Sequence, residues 1–204
     1  TVALTKESTK DILENLLKRS PNNYGKFESA VDEILKNVKE KGDEALFAYT
    51  KEFDKTEVTK ETIRVTEEEI KEAYEAVDPA LIEVIRKALI NIRSYHEKQR
   101  QNSWFTTEAK GTMLGQKVTP LERVGVYVPG GKAVYPSSVL MNIVPAKVAG
   151  VEKIVMVTPP NKDGEVTPAT LVAANEAGAT HIYKVGGAQA IGALAYGTES
   201  IEKV

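Results

Sequence analysis

The sequence predicts an α/β fold in which a mainly helical N-terminal region precedes a parallel βαβαβα unit. Up to about residue 102, apolar residues recur at helical spacing and are separated by polar breaks. From residue 123 onward, three short apolar runs, RVGVYV, KIVMVT and HIYKV, alternate with helical patterns. Strands that alternate with helices of this length form right-handed crossovers and pair in parallel.

Five apolar stripes predict the helices of the first half. The first two lie in STKDILENLLKRS (8–20) and in residues 27–38. Asp43 can cap the third, after Gly42 ends the second. The fourth follows a Thr-x-x-Glu capping box in TEEEIKE (66–72), which favours a helix N-terminus over a catalytic carboxylate pair. Asp78 and Pro79 begin the fifth, which we expect to run to about Asn102.

Strand-like segments separate and follow these helices. TIRV (62–65) predicts a short strand, and SWFTTEAKGTMLGQKVTPLE (103–122) predicts a hairpin with a turn near Gly111. In the second half, Ser137 or Ser138 can cap a helix that Pro145 must kink or interrupt. The next helix is expected between Thr167 and Gly178, and the third in AQAIGALAYG (188–197).

The three predicted parallel strands end in similar residues. Their exits are Pro129-Gly130-Gly131, Thr158-Pro159-Pro160 and Gly186-Gly187. In open α/β sheets, ligands bind in the crevice outside the carboxyl ends of the strands, where glycine lets the backbone approach a ligand closely. Each exit alone is equally well explained by proline and glycine simply ending a strand. Three such exits in succession predict a ligand crevice.

The known glycine motifs for nucleotides do not occur at these exits. The segment from Gly125 to Gly131 is not G-x-G-x-x-G, because four residues separate its first two glycines. Gly130-Gly131-Lys132 lacks the upstream glycine and the following Ser or Thr of a Walker A loop. The residues alone therefore predict a crevice and leave its ligand open.

Composition excludes several functional classes. The chain has 204 residues and a net charge of −2 without a basic block, so we expect no binding to nucleic acid or anionic membranes. No apolar run reaches the ~18 residues of a membrane span, and no signal-peptide pattern opens the chain. The absence of cysteine excludes disulfides and thiol nucleophiles and fits a cytoplasmic protein.

No catalytic or metal-ligating residue is assigned from the sequence. The two histidines, His96 and His181, have no ligand partner at a metal-binding spacing, and HEKQR is not H-E-x-x-H. Ser137 and Ser138 suit a helix cap better than a nucleophile, because no base accompanies them. Trp104 is expected to anchor the hairpin, while Asn142 is left without a role.

Long segments of the chain resemble the histidinol dehydrogenases. The resemblance rests on LERVGVYVPGGKAVYPSSVLMNIVPAKVAGV, IVMVTPP and KVGGAQAIGALAYGTESIEKV, and on GDEALFAYTKEFD and IRSYHEKQRQNSW upstream. It implies an enzyme that oxidises L-histidinol to L-histidine with two NAD in histidine biosynthesis. It also implies a zinc ion that holds the substrate, a homodimer, and incomplete Rossmann-like nucleotide-binding domains that lack the usual glycine fingerprint.

The resemblance also implies which residues contact NAD. These are Tyr127, the tyrosine of G-x-Y-x-P-G-G, and Gln189, the glutamine of G-G-A-Q-A-I. The Tyr127 ring can pack on a sugar or base, and the Gln189 amide can both donate and accept hydrogen bonds. We expect Pro129, Gly130 and Gly131 to shape the turn that leaves room for the cofactor.

The resemblance further predicts the organisation of the chain. Residues 1–122 form a helical region with a hairpin, and residues 123–204 form an incomplete Rossmann-like NAD-binding domain. Because the family continues through an NAD-contacting asparagine, the zinc ligands and the catalytic Glu-His pair, we expect an N-terminal fragment that is inactive by itself. The alternative is a non-catalytic module that binds a nucleotide or self-associates through the long helix or other exposed apolar surface.

Overall fold

The structure is a computed structural model that describes residues 25–130 and 134–204. The first predicted helix and Gly131 lie outside these residues. The described part contains seven helices and five strands. The helices are α1 (Gly25–Lys41), α2 (Asp43–Asp54), α3 (Glu67–Ala76), α4 (Pro79–Glu97), α5 (Pro136–Ala149), α6 (Pro168–Ala177) and α7 (Gly187–Tyr196). The strands are β1 (Trp104–Thr107), β2 (Met113–Gln116), β3 (Arg123–Tyr127), β4 (Lys153–Thr158) and β5 (His181–Lys184).

The predicted parallel unit is confirmed by a sheet in the order β3-β4-β5, with both pairs of strands parallel. The central strand β4 is covered on both faces. Ile154 and Met156 pack into a core with α3 to α6, while Val155 and Val157 pack into a second core with α1, α2 and α7. A strand buried on both faces needs a continuous apolar run, which KIVMVT provides.

The helix-capping predictions hold for α3 and α4 but not for α2. Thr66 and Glu69 form the predicted capping box, and the Asp78 carboxylate accepts from the Ala80 amide at 2.8 Å. The prediction that Asp43 caps α2 is wrong, because Gly42 occupies the N-cap position. The buried Asp43 carboxylate instead accepts from the amide and hydroxyl of Ser200.

The longest helix, α4, is shorter than predicted. It ends at Glu97 rather than near Asn102, because the next amides bond three residues back, from Lys98 to Tyr95 and from Arg100 to Glu97. Such tighter bonds close the last turn of many helices. In the described segments, no helix is long and apolar enough to cross a membrane.

The start of α5 corrects a second capping prediction. Tyr135 is the N-cap and Pro136 is the first helical residue, so neither Ser137 nor Ser138 caps the helix. The helix also continues through Pro145 to Ala149 without interruption. The carbonyl that loses its helical partner to a proline lies four residues earlier, at Met141, on an exposed turn where water can bond to it.

Two further predicted β segments take simpler forms. TIRV (62–65) contributes an isolated antiparallel bridge to the edge of the sheet, where Arg64 pairs with Tyr183. The predicted hairpin is confirmed: β1 and β2 pair antiparallel, and Gly111 lies in their turn with a positive φ of 81°. Every residue of β1 and β2 is exposed, so Trp104 lies in the hairpin without a buried anchor.

Candidate functional site

The exits of the three parallel strands meet at one edge of the sheet. Tyr127 lies opposite Val157, and Thr158 lies opposite Lys184, so the three strands end within about one residue of each other. The amide of Val128 continues the ladder by donating to the Val157 carbonyl at 3.0 Å. The three exits at which the sequence predicts a ligand crevice therefore lie side by side.

Pro159 lies between the other two exits at close range. A Cβ added to Gly130 would lie 2.8 Å from the Pro159 carbonyl oxygen, and one added to Gly186 would lie 2.6 Å from the Pro159 Cβ. Real Cβ atoms do not approach other heavy atoms so closely. Only glycine therefore fits at positions 130 and 186, because the three backbone turns approach each other closely here. The neighbouring Pro129 is exposed.

The Tyr127 side chain joins the first exit to the third. Its hydroxyl accepts a hydrogen bond from the Gly187 amide at 3.1 Å, and its ring packs against the second core. This bond reaches across the intervening strand β4 and connects the end of β3 to the first residue of α7. Tyr127 therefore lies at the edge of the sheet where the strands end, and its side chain is half-buried.

The Gln189 side chain is buried without a partner at the same place. Gln189 is 1% exposed, and neither Oε1 nor Nε2 has a hydrogen-bond partner among the described residues. The carboxamide lies against the backbone of Gly187, because a Cβ at Gly187 would overlap Oε1. An unsatisfied buried amide costs about 1–3 kcal/mol, so a partner that bonded this carboxamide would stabilise it.

The N-terminus of α7 adds donors to this position. Its N-cap is Gly186, which has no side chain to bond the free amides of the first turn. The first amides of a helix point outward and carry a partial positive charge that favours anions. The crevice therefore combines backbone N–H groups, a neutral carboxamide and an aromatic ring, which suit the binding of a polar ligand.

The buried Lys184 forms an ion pair with the half-buried Glu69 near the exit of β5. The Lys184 side chain is 8% exposed and its Nζ bonds the Glu69 carboxylate. Burial raises the pKa of Glu69, but the hydrogen bond from Lys184 and the Thr66 amide outweigh it and leave that pKa below its ordinary value. Glu69 also lines a cavity of about 230 Å³ with Glu72 and Glu165, which includes neither Tyr127 nor Gln189.

The sequence did not single out the ion pair or the Tyr127–Gly187 bond. The ion pair could have been predicted from Lys184 in the apolar run HIYKV, because a lysine inside a strand covered on both faces needs a charged partner. No local pattern indicates the hydrogen bond between Tyr127 and Gly187, because these residues are 60 positions apart in the sequence. Asn142 also lies apart from the exits and donates to the Ser138 carbonyl within α5.

The described residues offer no metal site. No group of three or more His, Asp or Glu side chains among them could hold an ion. His96 bonds Gln99 at 2.7 Å on the surface of α4. Burial lowers the pKa of His181, and the nearby cations Arg64 and Lys153 lower it further.

Comparison with known proteins assigns this arrangement to a family. The family model for histidinol dehydrogenase matches residues 17–204, which include every strand exit and both cores. The chain belongs to the histidinol dehydrogenase family. Within that family, the histidinol dehydrogenase of Bacillus subtilis is 60% identical over 174 residues, covering 85% of this chain and 40% of the relative. That of Methanocaldococcus jannaschii is 54% identical over 200 residues, covering 98% of this chain and 46% of the relative.

A solved structure supports the fold as well as the sequence relationship. The crystal structure of histidinol dehydrogenase from Elizabethkingia anophelis matches with a TM-score of 0.82 and 40% identity, covering 87% of this chain and 41% of that one. The chain thus spans about two fifths of the length of these relatives.

Proposed function

We propose that this chain supplies a dinucleotide-binding part of a histidinol dehydrogenase, which oxidises L-histidinol to L-histidine with two NAD in the cytoplasm. Family membership supports the reaction, and the unpartnered Gln189 carboxamide carries the assignment of NAD to the crevice. A carboxamide can donate to and accept from the same polar ligand, as the amide and hydroxyl groups of a dinucleotide require.

The residues at the strand exits fit NAD in distinct ways. Gln189 would hydrogen-bond the dinucleotide, and the half-buried Tyr127 ring would pack on a sugar or base. Gly130 and Gly186 let the backbone turns pack closely around Pro159, which shapes the edge of the sheet beside the proposed cofactor position. A bound NAD would supply the hydride acceptor, one NAD for each of the two oxidations, and these residues would hold it at the strand exits.

The described residues do not fit zinc. With no cluster of His, Asp or Glu among residues 25–130 and 134–204, the proposal assigns the metal and the proton transfers to no residue described here. We therefore expect the 204-residue chain to bind NAD but to produce no NADH from L-histidinol. Sustained NADH formation, followed by absorbance, would contradict this division of roles.

Gln189→Leu is expected to weaken NAD binding roughly five- to tenfold. The change removes the polar group at nearly constant volume and costs about 1–1.5 kcal/mol. Isothermal titration calorimetry of NAD into the unsubstituted protein and the variant gives the dissociation constants.

Tyr196→Ala is the matched control, because Tyr196 lies at the opposite end of α7 and is 42% exposed. Its NAD affinity should equal that of the unsubstituted protein. Equal affinities for the unsubstituted protein, Gln189→Leu and Tyr196→Ala would remove Gln189 from the cofactor site. The absence of NAD binding to the unsubstituted protein would contradict the proposed function of this chain.

The hairpin supports a second part of the proposal, a homodimer. All eight residues of β1 and β2 are exposed, and both faces carry large apolar side chains. Phe105 and Met113 lie on one face, and Trp104 and Leu114 on the other. An isolated two-stranded hairpin is marginally stable in water, so such a hairpin is stabilised by packing against another surface. We assign that surface to a second copy of the chain.

Met113→Lys and Leu114→Lys are expected to raise the dimer dissociation constant at least tenfold. Each places a charge on one face of the hairpin, and desolvating that charge in an interface is costly. Light scattering across a concentration series measures the change in mass. Val84→Lys, on exposed α4, is the control and should leave the mass unchanged. A monomeric mass for the unsubstituted protein at every concentration would contradict the dimer.

A further inference from the structure

The hydrogen bond between Tyr127 and Gly187 occupies a donor that a cofactor phosphate could use. The Gly187 amide is the first N–H of α7, and the Tyr127 hydroxyl accepts it at 3.1 Å. Gly187 itself is exposed, so a ligand can reach this amide from the crevice. A tyrosine hydroxyl is neutral, whereas a phosphoryl oxygen is charged and makes a shorter, stronger bond with the same donor.

A second observation at the same point indicates a polar ligand. The Gln189 carboxamide is buried to 99%, lies against Gly187, and lacks a partner among the described residues. A Cβ built on Gly187 would lie 3.1 Å from its Nε2 group, which is therefore a second donor near the start of α7. Helix N-termini with several convergent donors bind phosphoryl groups, because the donors and the helix dipole act together.

We propose that the Tyr127 hydroxyl is a placeholder for a phosphoryl oxygen of the dinucleotide. It caps the Gly187 amide in the structure, and the phosphoryl group takes over this donor, with Gln189 Nε2 beside it, when the cofactor binds. The phenol oxygen lies on the ring axis, so the Tyr127 ring tilts away from the α7 N-terminus to release this amide and stays at the edge of the sheet. This inference rests on the proposed function, since it assigns one part of the dinucleotide to the α7 N-terminus.

In this account the Tyr127 hydroxyl competes with the phosphoryl group for the Gly187 amide, whereas the Tyr127 ring contributes to binding. Tyr127→Phe keeps the ring and frees the Gly187 amide. A single hydrogen bond contributes about 0.5–1.5 kcal/mol net, so phosphorylated ligands should bind the variant about two- to tenfold more tightly. Adenosine, which has no phosphate, should bind it with unchanged affinity. A direct contact between the hydroxyl and the cofactor would have the opposite effect.

Calorimetric titration of ADP and adenosine into the protein and into Tyr127→Phe tests this inference. The ratio of the adenosine to the ADP dissociation constant should rise two- to tenfold in the variant and stay constant in Tyr196→Phe. In the unsubstituted protein, the amide NMR signal of Gly187 should shift with ADP but not with adenosine. The signal of Gly111, in the distant hairpin turn, should stay in place.

The outcomes separate this inference from the proposed function. Two results would contradict the placeholder but leave the cofactor site in place, provided that NAD binds. The first is a ratio of the adenosine to the ADP dissociation constant that is unchanged or lower in Tyr127→Phe. The second is a Gly187 amide signal that does not shift with ADP. If neither NAD nor ADP binds the unsubstituted protein, both are overturned.

Discussion

Gly187→Ala is expected to weaken NAD binding roughly tenfold to a hundredfold. Gly187 has a φ of 67°, and an added Cβ would overlap Oε1 of Gln189. The side chain of Gln189 is buried, so it cannot move aside into solvent. The displaced carboxamide loses its proposed contact with the dinucleotide, and the added methyl crowds the first turn of α7; together these cost about 1–3 kcal/mol, which corresponds to this range of affinity. Calorimetry with NAD measures the change.

Gly111→Ala separates this steric effect from backbone strain. Gly111 also has a positive φ, 81°, but an added Cβ there would meet no atom within 4 Å. Both variants carry a backbone cost of about 1–2 kcal/mol, and the overlap with Gln189 adds a further loss of thermal stability in Gly187→Ala alone. Only Gly187→Ala should lose affinity. Equal NAD affinities for the two variants would show that the position of Gln189 does not matter for the cofactor.

Glu69→Gln is expected to lower the free energy of unfolding by about 3 kcal/mol at pH 7. The change leaves the charge of the buried Lys184 without its partner, and unpaired buried charges are costly. Glutamine at this position still completes a capping box with Thr66, so the start of α3 is preserved. Urea unfolding followed by circular dichroism measures the loss.

The pH dependence of this difference tests its electrostatic origin. The pKa of Glu69 is below its ordinary value of 4.5, so the ionised carboxylate stabilises the fold. That contribution is fully present above pH 4.5 and is lost as the pH falls through the lowered pKa of the folded state. The two proteins should therefore converge in stability under acid conditions. Glu72→Gln, an exposed neighbour on α3, should change stability by less than about 0.5 kcal/mol. A loss of similar size in both variants would contradict the ion-pair account.

The strands and their exits could be predicted because their signals are local. KIVMVT is a continuous apolar run, and proline or glycine follows each of the three strands. Periodicity and turn residues determine such elements over a few positions. The parallel order then follows from the alternation with helices, and the structure confirms it. The placement of Gly130 beside Pro159 follows in turn from the meeting of the exits at one edge.

The capping predictions failed where distant contacts decide the role of a polar residue. Asp43 has a side chain suited to an N-cap, but it is held by Ser200, which is 157 residues away. The amide of Asp43 is in turn bonded by the Glu199 carboxylate at 2.9 Å. Local propensity cannot register such partners, because they are brought together by the packing of the C-terminal segment on α2.

The same limit applies to the candidate site. The resemblance to the family implies a cofactor role for Gln189, but its burial depends on how α7 packs against the sheet and α1. Likewise, the G-x-Y-x-P-G-G motif predicts that Tyr127 lies near the strand exits. It does not predict that the Tyr127 hydroxyl accepts a hydrogen bond from the first amide of α7. These two tertiary contacts turn a general ligand crevice into a specific proposal about which atoms meet the dinucleotide.

Titration of NAD into the unsubstituted protein and into Gln189→Leu, followed by both calorimetry and amide NMR, is the most direct test of the cofactor site. We expect saturable binding, a five- to tenfold loss in the variant, and shifts concentrated at Gly130, Gly186 and Gly187. Shifts confined to the acidic cavity around Glu69 and Glu165, or no loss of affinity in Gln189→Leu, would contradict a dinucleotide site at the three strand exits.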